Sequence, residues 1–167
     1  VLASCVEPPR RWTVLQDAMD RIPLCAWGAA PDDVWIGGGL GTKPSALLGR
    51  WDGKSVRDVA VNRPETIWWI HGSSPRDVWA VGEGGLALHS TGGDFVAVPS
   101  GTTATLFGVW AASPGEAWAV GGTPAGTGPN DVILHWDGAR WSDVALPDPL
   151  GALHFKVWGR SQSDVFV

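Results

Sequence analysis

Apolar residues along this chain fall in runs of four to seven, rich in Val, Trp, Ile and Leu, and each run is cut off by Gly, Pro, Asp or Asn. No stretch sustains the 3.6-residue periodicity of an amphipathic helix, so the pattern predicts short strands separated by tight turns. Twelve strands fit in three sets of four: 24–29, 33–38, 46–51 and 55–61; 66–72, 77–82, 85–89 and 94–98; 105–111, 116–121, 131–136 and 140–145. Strand signals at 153–159 and 164–167 begin a fourth set. Val78-Trp79-Ala80-Val81 and Ala117-Trp118-Ala119-Val120 have no polar face, the pattern of a sheet covered on both sides.

The sets are copies of one another. Asp33-Val34-Trp35, Asp77-Val78-Trp79, Glu116-Ala117-Trp118 and Asp164-Val165-Phe166 occupy the same place in a larger frame centred on Pro31, Pro75, Pro114 and Gln162, with 44, 39 and 48 residues between successive frames. Four residues before each centre stands Trp27, His71, Trp110 or Trp158, and four after it stands Trp35, Trp79, Trp118 or Phe166. Glycines follow the second aromatic. Then comes a turn that reads Trp51-Asp52-Gly53, Ser90-Thr91-Gly92 and Trp136-Asp137-Gly138, and a bulky residue at Val56, Phe95 and Trp141. A four-stranded unit repeating about every 40 to 45 residues is the blade of a β-propeller. The expected fold is therefore all-β, a β-propeller of four-stranded blades with about three and a half present: blades at 24–61, 66–98 and 105–145, a partial one at 153–167, and a separate N-terminal segment at 1–23. This is read as part of a larger propeller; the alternative closes a four-bladed ring by pairing the partial blade with strands near Leu2–Val6 and Arg11–Leu15, with Trp12 in the place of Phe95 and Trp141. Blade faces left open would support self-association.

Composition narrows the partners. The chain is 44% hydrophobic against 17% charged, which is globular, and its net charge of −5 with singly scattered Lys and Arg offers no basic stripe for a nucleic acid. No apolar run reaches the roughly 18 residues of a transmembrane span. The opening Val1-Leu2-Ala3-Ser4-Cys5 looks like a bacterial lipobox, with Cys5 as the lipidated residue and a membrane anchor as its consequence. The alternative pairs Cys5 with Cys25 in a disulfide. Either places the protein outside the cytoplasm, as a periplasmic, outer-membrane or secreted protein.

Candidates for chemistry are few. Asp33, Asp77, Glu116 and Asp164 read as turn residues accepting local hydrogen bonds, not as catalytic acids. His89 and His135 align with Arg50 near the end of each third strand, so they read as a repeat feature and not as a metal pair. His71 takes a Trp position and is expected to hydrogen-bond locally, while His154 has no partner visible in the sequence. No nucleophile elbow occurs, Tyr is absent, and Asp32 with Asp33 share one turn, so no catalytic set is assembled and no cofactor or metal is expected.

The frame best seen at 110–141, Trp-x-x-x-Pro-x-Glu-Ala-Trp-x-Val-Gly followed by Leu-His-Trp-Asp-Gly-x-x-Trp, resembles the kelch-like and BNR-like propeller repeats of secreted proteins and lipoproteins from myxobacteria and related bacteria. The adjacent Asp and Gly of Asp52-Gly53 and Asp137-Gly138 depart from the Asp-box spacing of sialidase repeats, so that family's active residues do not carry over.

Length variation between repeats points to a binding face. From frame centre to the Trp-Asp-Gly turn the distance is 20, 15 and 22 residues, whereas from that turn to the next frame it is 24, 24 and 26. The variable part is the connection between second and third strands, which in a propeller emerges on the same face as the fourth-to-first connection. Loops on a rigid scaffold are where binding residues sit. The expected ligand-binding set is Leu40, Thr42, Lys43, Thr123, Thr127 and Asn130, with Arg63, Glu65 and Thr103 from the adjoining connections and one ring of the Trp68-Trp69 pair. Trp35, Trp79, Trp110, Trp118 and Trp158 are expected in the core, and Trp12, Trp51, Trp136 and Trp141 partly exposed. The function expected is a non-enzymatic module recognising protein or carbohydrate, the alternatives being a multivalent lectin and a fragment of a propeller hydrolase.

Overall fold

The computed structural model describes residues 13–15, 19–43, 45–125 and 127–167. Three four-stranded antiparallel sheets follow one another, each with its strands in chain order, and a two-stranded sheet follows the third. The first is β1 (Ile22–Ala30), β2 (Asp33–Gly39), β3 (Leu47–Trp51) and β4 (Val56–Asp58). The second is β5 (Ile67–Ser74), β6 (Asp77–Gly82), β7 (Ala87–Ser90) and β8 (Val96–Ala97). The third is β9 (Thr105–Ser113), β10 (Glu116–Gly122), β11 (Val132–Trp136) and β12 (Trp141–Asp143), and the last pair is β13 (Trp158–Ser161) and β14 (Asp164–Phe166). The all-β propeller expectation holds, with about three and a half blades. The outer strands are shorter than predicted, and Glu83–Gly85 form a 3₁₀ turn where the third strand of the second blade was expected to start. Leu2–Val6, Cys5 and Trp12 lie outside the described residues.

The frame has a simple geometric meaning. Its two aromatics sit equally far from the turn and are therefore cross-strand partners: Trp27 with Trp35, His71 with Trp79, Trp110 with Trp118 and Trp158 with Phe166. One more strand out, Trp35, Trp79 and Trp118 face Arg50, His89 and His135. The frame glycines are needed because the first strand passes too close for a side chain. A Cβ at Gly38, Gly82 or Gly121 would lie 2.0 to 2.1 Å from the carbonyl oxygen of Ile22, Thr66 or Thr105.

Neighbouring blades lock through the first aromatic. Ring atoms of Trp27 lie 2.7 Å from where a Cβ on Gly72 would be, and those of Trp110 lie 2.6 Å from the same point on Gly159. Between the second and third blades the small residue is Ala111, and the smaller imidazole of His71 takes the place of indole. Its Nδ1 accepts the Ala111 backbone N–H at 3.0 Å. The expected local bond of His71 is thus a bond between blades.

β6 is buried over its whole length, as its lack of a polar face requires. Trp79 is fully enclosed by Trp136 and Trp141, with ring centroids 5.0 and 4.9 Å away. This corrects two expectations. Trp136 and Trp141 are core residues, because both pack on the preceding blade; Trp158 is 53% exposed and stacks on Phe166 at the surface. Trp51 is half-buried, as expected.

The Trp-Asp-Gly turn is also explained. Trp51 and Trp136 each donate Nε1–H to the frame proline carbonyls of Pro31 and Pro114 at 3.1 Å, tying the two turns of one blade end together. Asp52 and Asp137 accept two backbone N–H groups each from their own turns, which hold both carboxyls below the ordinary range. Gly53 and Gly138 take left-handed φ values of 85° and 92°.

Candidate functional site: the loop face

The second-to-third and fourth-to-first connections meet on one face, and backbone hydrogen bonds join them in each of the three four-stranded blades. Ala46 N–H donates to the Arg63 carbonyl, Glu83 N–H to Thr66 and Asp131 N–H to Ala152. Side chains complete the ties. The Glu83 carboxylate accepts the Thr66 N–H at 2.9 Å, Ser100 Oγ donates to the Gly85 carbonyl at 2.7 Å, and Asn130 Nδ2 donates to the Gly151 carbonyl at 3.3 Å. A loop face clamped this way is preformed and costs little ordering on binding.

Three clefts run along its inter-blade seams. The first, about 400 Å³, is lined by Leu40, Thr42, Lys43, Thr66 and Glu83. The second, about 430 Å³, has Arg63, Glu65, Gly84, Ser100 and Thr103 among its walls. The third, about 470 Å³, lies between Thr103 and Asn130, with Asp131, Trp141 and Asp143. The first two interleave along residues 63–66 and 83–85, and the last two share residues 100–103. Leu40, Thr42, Lys43, Arg63, Glu65, Thr103 and Asn130 of the expected set therefore come together on this face.

The rest of the set behaves differently. Thr123 is used inside its own loop, its N–H donating to Asn130 Oδ1 and its hydroxyl to the Pro129 carbonyl, while Thr127 is exposed beyond the clefts. Trp68 and Trp69 are both half-buried and line none of these clefts. Trp68 packs edge-on against Phe107, with its Nε1 buried and unpartnered, and Trp69 packs on both neighbouring cores. The expectation of one ring free for stacking fails because a bulge between Ile67 and Trp69 breaks the alternation that would have turned one of them outward.

Electrostatics on this face is mostly internal. Asp20 pairs with Lys43 and Arg21, which hold its carboxyl below the usual range, and its carbonyl accepts the Thr42 N–H. Burial pushes the Asp131 carboxyl up, but the N–H groups of Ala152 and Gly151 and the His154 ring outweigh it and hold the group low. His154 thus has a partner that the sequence did not reveal. One carboxylate stands apart, since Glu65 Oε2 is buried without a hydrogen-bond partner.

The four frame acids are not simple turn residues. Asp33 pairs with Arg50 at 2.8 Å, Asp77 with His89 at 2.7 Å, Glu116 with His135 at 2.9 Å and Asp164 with Arg160 at 2.7 Å. In each blade the basic group lies on the frame aromatic: Arg50 on Trp35, His89 on Trp79, His135 on Trp118 and Arg160 on Phe166. These are structural triplets repeated once per blade, which accounts for the aligned His89 and His135. Asp77 adds a local bond from Ser73, so the turn reading holds there in part. Among the described residues no group of three or more His, Cys, Asp or Glu is placed to hold a metal ion.

The solved structure of YCF48 bound to a D1 peptide, a β-propeller, superposes on this chain with a TM-score of 0.56 at 18% sequence identity, covering 74% of this chain and 40% of that one. The chain thus spans about two fifths of that neighbour's length, and the likeness is one of fold. No protein-family model and no curated protein sequence matches the chain. Among the described residues no helix is long and apolar enough to cross a membrane.

Proposed function

We propose that this protein is a non-enzymatic binding module that recognises an extended protein segment across the loop face and works outside the cytoplasm. The observation that carries the reading is the row of three adjoining clefts on a preformed face, rich in backbone groups and short polar side chains. Such walls suit a peptide, whose main chain offers a donor and an acceptor at every residue. The YCF48 neighbour holds a D1 peptide, and a peptide is the ligand class proposed here. Carbohydrate recognition is less well supported, because no exposed indole lines the clefts for a sugar ring to stack on. The lipobox-like Val1-Leu2-Ala3-Ser4-Cys5 supports the location and a lipid anchor at Cys5.

The test is selection from a displayed library of random linear peptides, followed by titration of the selected peptides against Thr103→Arg and Arg63→Glu. Thr103 lines two of the clefts, so its replacement should weaken binding at least about tenfold without moving the thermal midpoint. Selected peptides that bind both variants as tightly as the parent would overturn the loop-face reading. A glycan array that gives signal where the peptide library gives none would favour the lectin.

A further inference from the structure

Two residues before the frame aromatic the four repeats carry Cys25, Trp69, Gly108 and Lys156, the first three within first strands and Lys156 just ahead of β13. The structure joins three of them. The Lys156 side chain passes from the fourth blade to the second, placing Nζ 3.3 Å from the centroid of the Trp69 ring and 3.3 Å from the Phe107 carbonyl, to which it donates. Gly108 makes the passage feasible, since a Cβ there would lie 3.1 Å from Lys156 Cα. Phe155, 56% exposed, packs at a tilt against Phe107 with centroids 4.9 Å apart, so the ammonium sits beside an open apolar surface.

Lys156 is a solvent-accessible cation with no carboxylate partner among the described residues. Lys43, Arg21, Arg50, Arg57, Arg140 and Arg160 each face a carboxylate, but among the described residues none lies in ion-pairing range of Lys156. Burial draws its pKa down, against a smaller upward pull from Cys25. An aromatic face and one carbonyl satisfy part of an ammonium with three donors. Lys156 is itself solvent-exposed, so an anion can reach its remaining donors and gain a charge-assisted hydrogen bond there.

We propose that Lys156, walled by Trp69, Phe107 and Phe155, receives the carboxylate of an acidic side chain on a bound peptide, with an adjoining apolar side chain lying on Phe155. This rests on the peptide-binding reading and adds the chemistry of its anchor. Lys156 lies next to the loop face through the segment in which His154 N–H bonds the Gly121 carbonyl. The sequence signal was slight: a lysine between Phe155 and Val157 in the predicted strand 153–159.

The chain has three lysines, at 43, 54 and 156, so selective 13C-lysine labelling gives a resolvable Cε–Hε NMR spectrum of the whole protein with its ammonium groups intact. The probes are acetyl-Glu-Phe-amide, its isostere acetyl-Gln-Phe-amide, and sodium acetate. The Lys156 resonance should move saturably with the Glu probe and bind the Gln probe about tenfold more weakly, in line with the loss of one charged partner. Acetate should produce a small shift. Lys156→Met should abolish the Glu-over-Gln preference and Lys156→Arg retain it, with unchanged Lys43 and Lys54 resonances reporting an intact fold. If Lys156→Met does not fold, the Glu and Gln comparison on the parent still decides. No movement with the Glu probe, equal movement with the Gln probe, or acetate acting as strongly as the Glu probe overturns the proposal. Library peptides that need Thr103 and Arg63 but carry no acidic residue would overturn this inference alone and leave the loop-face reading intact.

Discussion

His71 offers the sharpest test of how one blade is fastened to the next, because a single bond, Ala111 N–H to Nδ1 at 3.0 Å, takes over from the indole-on-glycine contact used at the other seams. Ala111 is 3% exposed, so water cannot readily replace the acceptor. Removing the imidazole in His71→Ala strands the buried Ala111 donor, which costs about 1–3 kcal/mol. That loss is read as a shift of the urea midpoint at pH 8 followed by tryptophan fluorescence. The same bond dictates a pH dependence. Burial pulls the His71 pKa below 6.5, against a smaller upward pull from Asp77, and Nδ1 accepts only when unprotonated. Above pH 6.5 the contribution is fully present. As pH falls below 6.5 the unfolded chain takes up its proton first, so stability declines until the folded-state pKa is passed, with a slope of at most about 1.4 kcal/mol per pH unit. In His71→Gln that component of the slope should vanish. A loss under about 0.5 kcal/mol in His71→Ala, or an unchanged slope in His71→Gln, would refute the reasoning. A further arm exploits the packing rule: His71→Trp should destabilise alone and be partly rescued by Ala111→Gly, which restores the seam found at Gly72 and Gly159.

Asp77 is fully buried and bonded to His89 and Ser73; Asp77→Ala should cost about 3–5 kcal/mol by leaving both partners unpaired, measured by chemical denaturation. Burial raises the Asp77 pKa, but the bonds from His89 and Ser73 outweigh it and hold the group below 3.8. Its contribution is therefore present above 3.8 and fades as pH falls through the lower folded value, so Asp77→Asn should be less sensitive to acid in a pH titration of the thermal midpoint. Gly82→Ala and Gly121→Ala each drive a methyl to within 2.1 Å of a first-strand carbonyl; both should yield unstable or insoluble protein, whereas Gly93→Ala, with open space around it, should behave like the parent in a thermal melt. The Cys25 thiol is buried, and burial pushes its pKa to about 11. Peptide mapping after iodoacetamide at pH 8 should find Cys25 unmodified in the native protein and alkylated in urea.

What could be read from the residue order is what depends on neighbours a few positions apart. Runs of Val, Trp and Ala with no polar face, cut by Gly and Pro, determine where strands lie and that both faces are covered. Symmetry about Pro31, Pro75 and Pro114 determines which aromatics pair, because a hairpin matches residues equally distant from its turn. The period determines that the unit is a blade, and loop-length variation marks the face where the clefts are found. Burial of a given indole was not accessible that way. Trp136, in a turn, and Trp158, at a frame position, are expected partly exposed and buried respectively; the structure reverses them, because Trp136 packs on Trp79 of the preceding blade while Trp158 stacks on Phe166 beside it. The bulge at Ile67–Trp69 lies within one sheet, while the Asp131 partner of His154 and the reach of Lys156 to Trp69 join residues from different blades. Such contacts are set by how sheets stack around an axis, a relation between units some forty residues apart that no local pattern encodes.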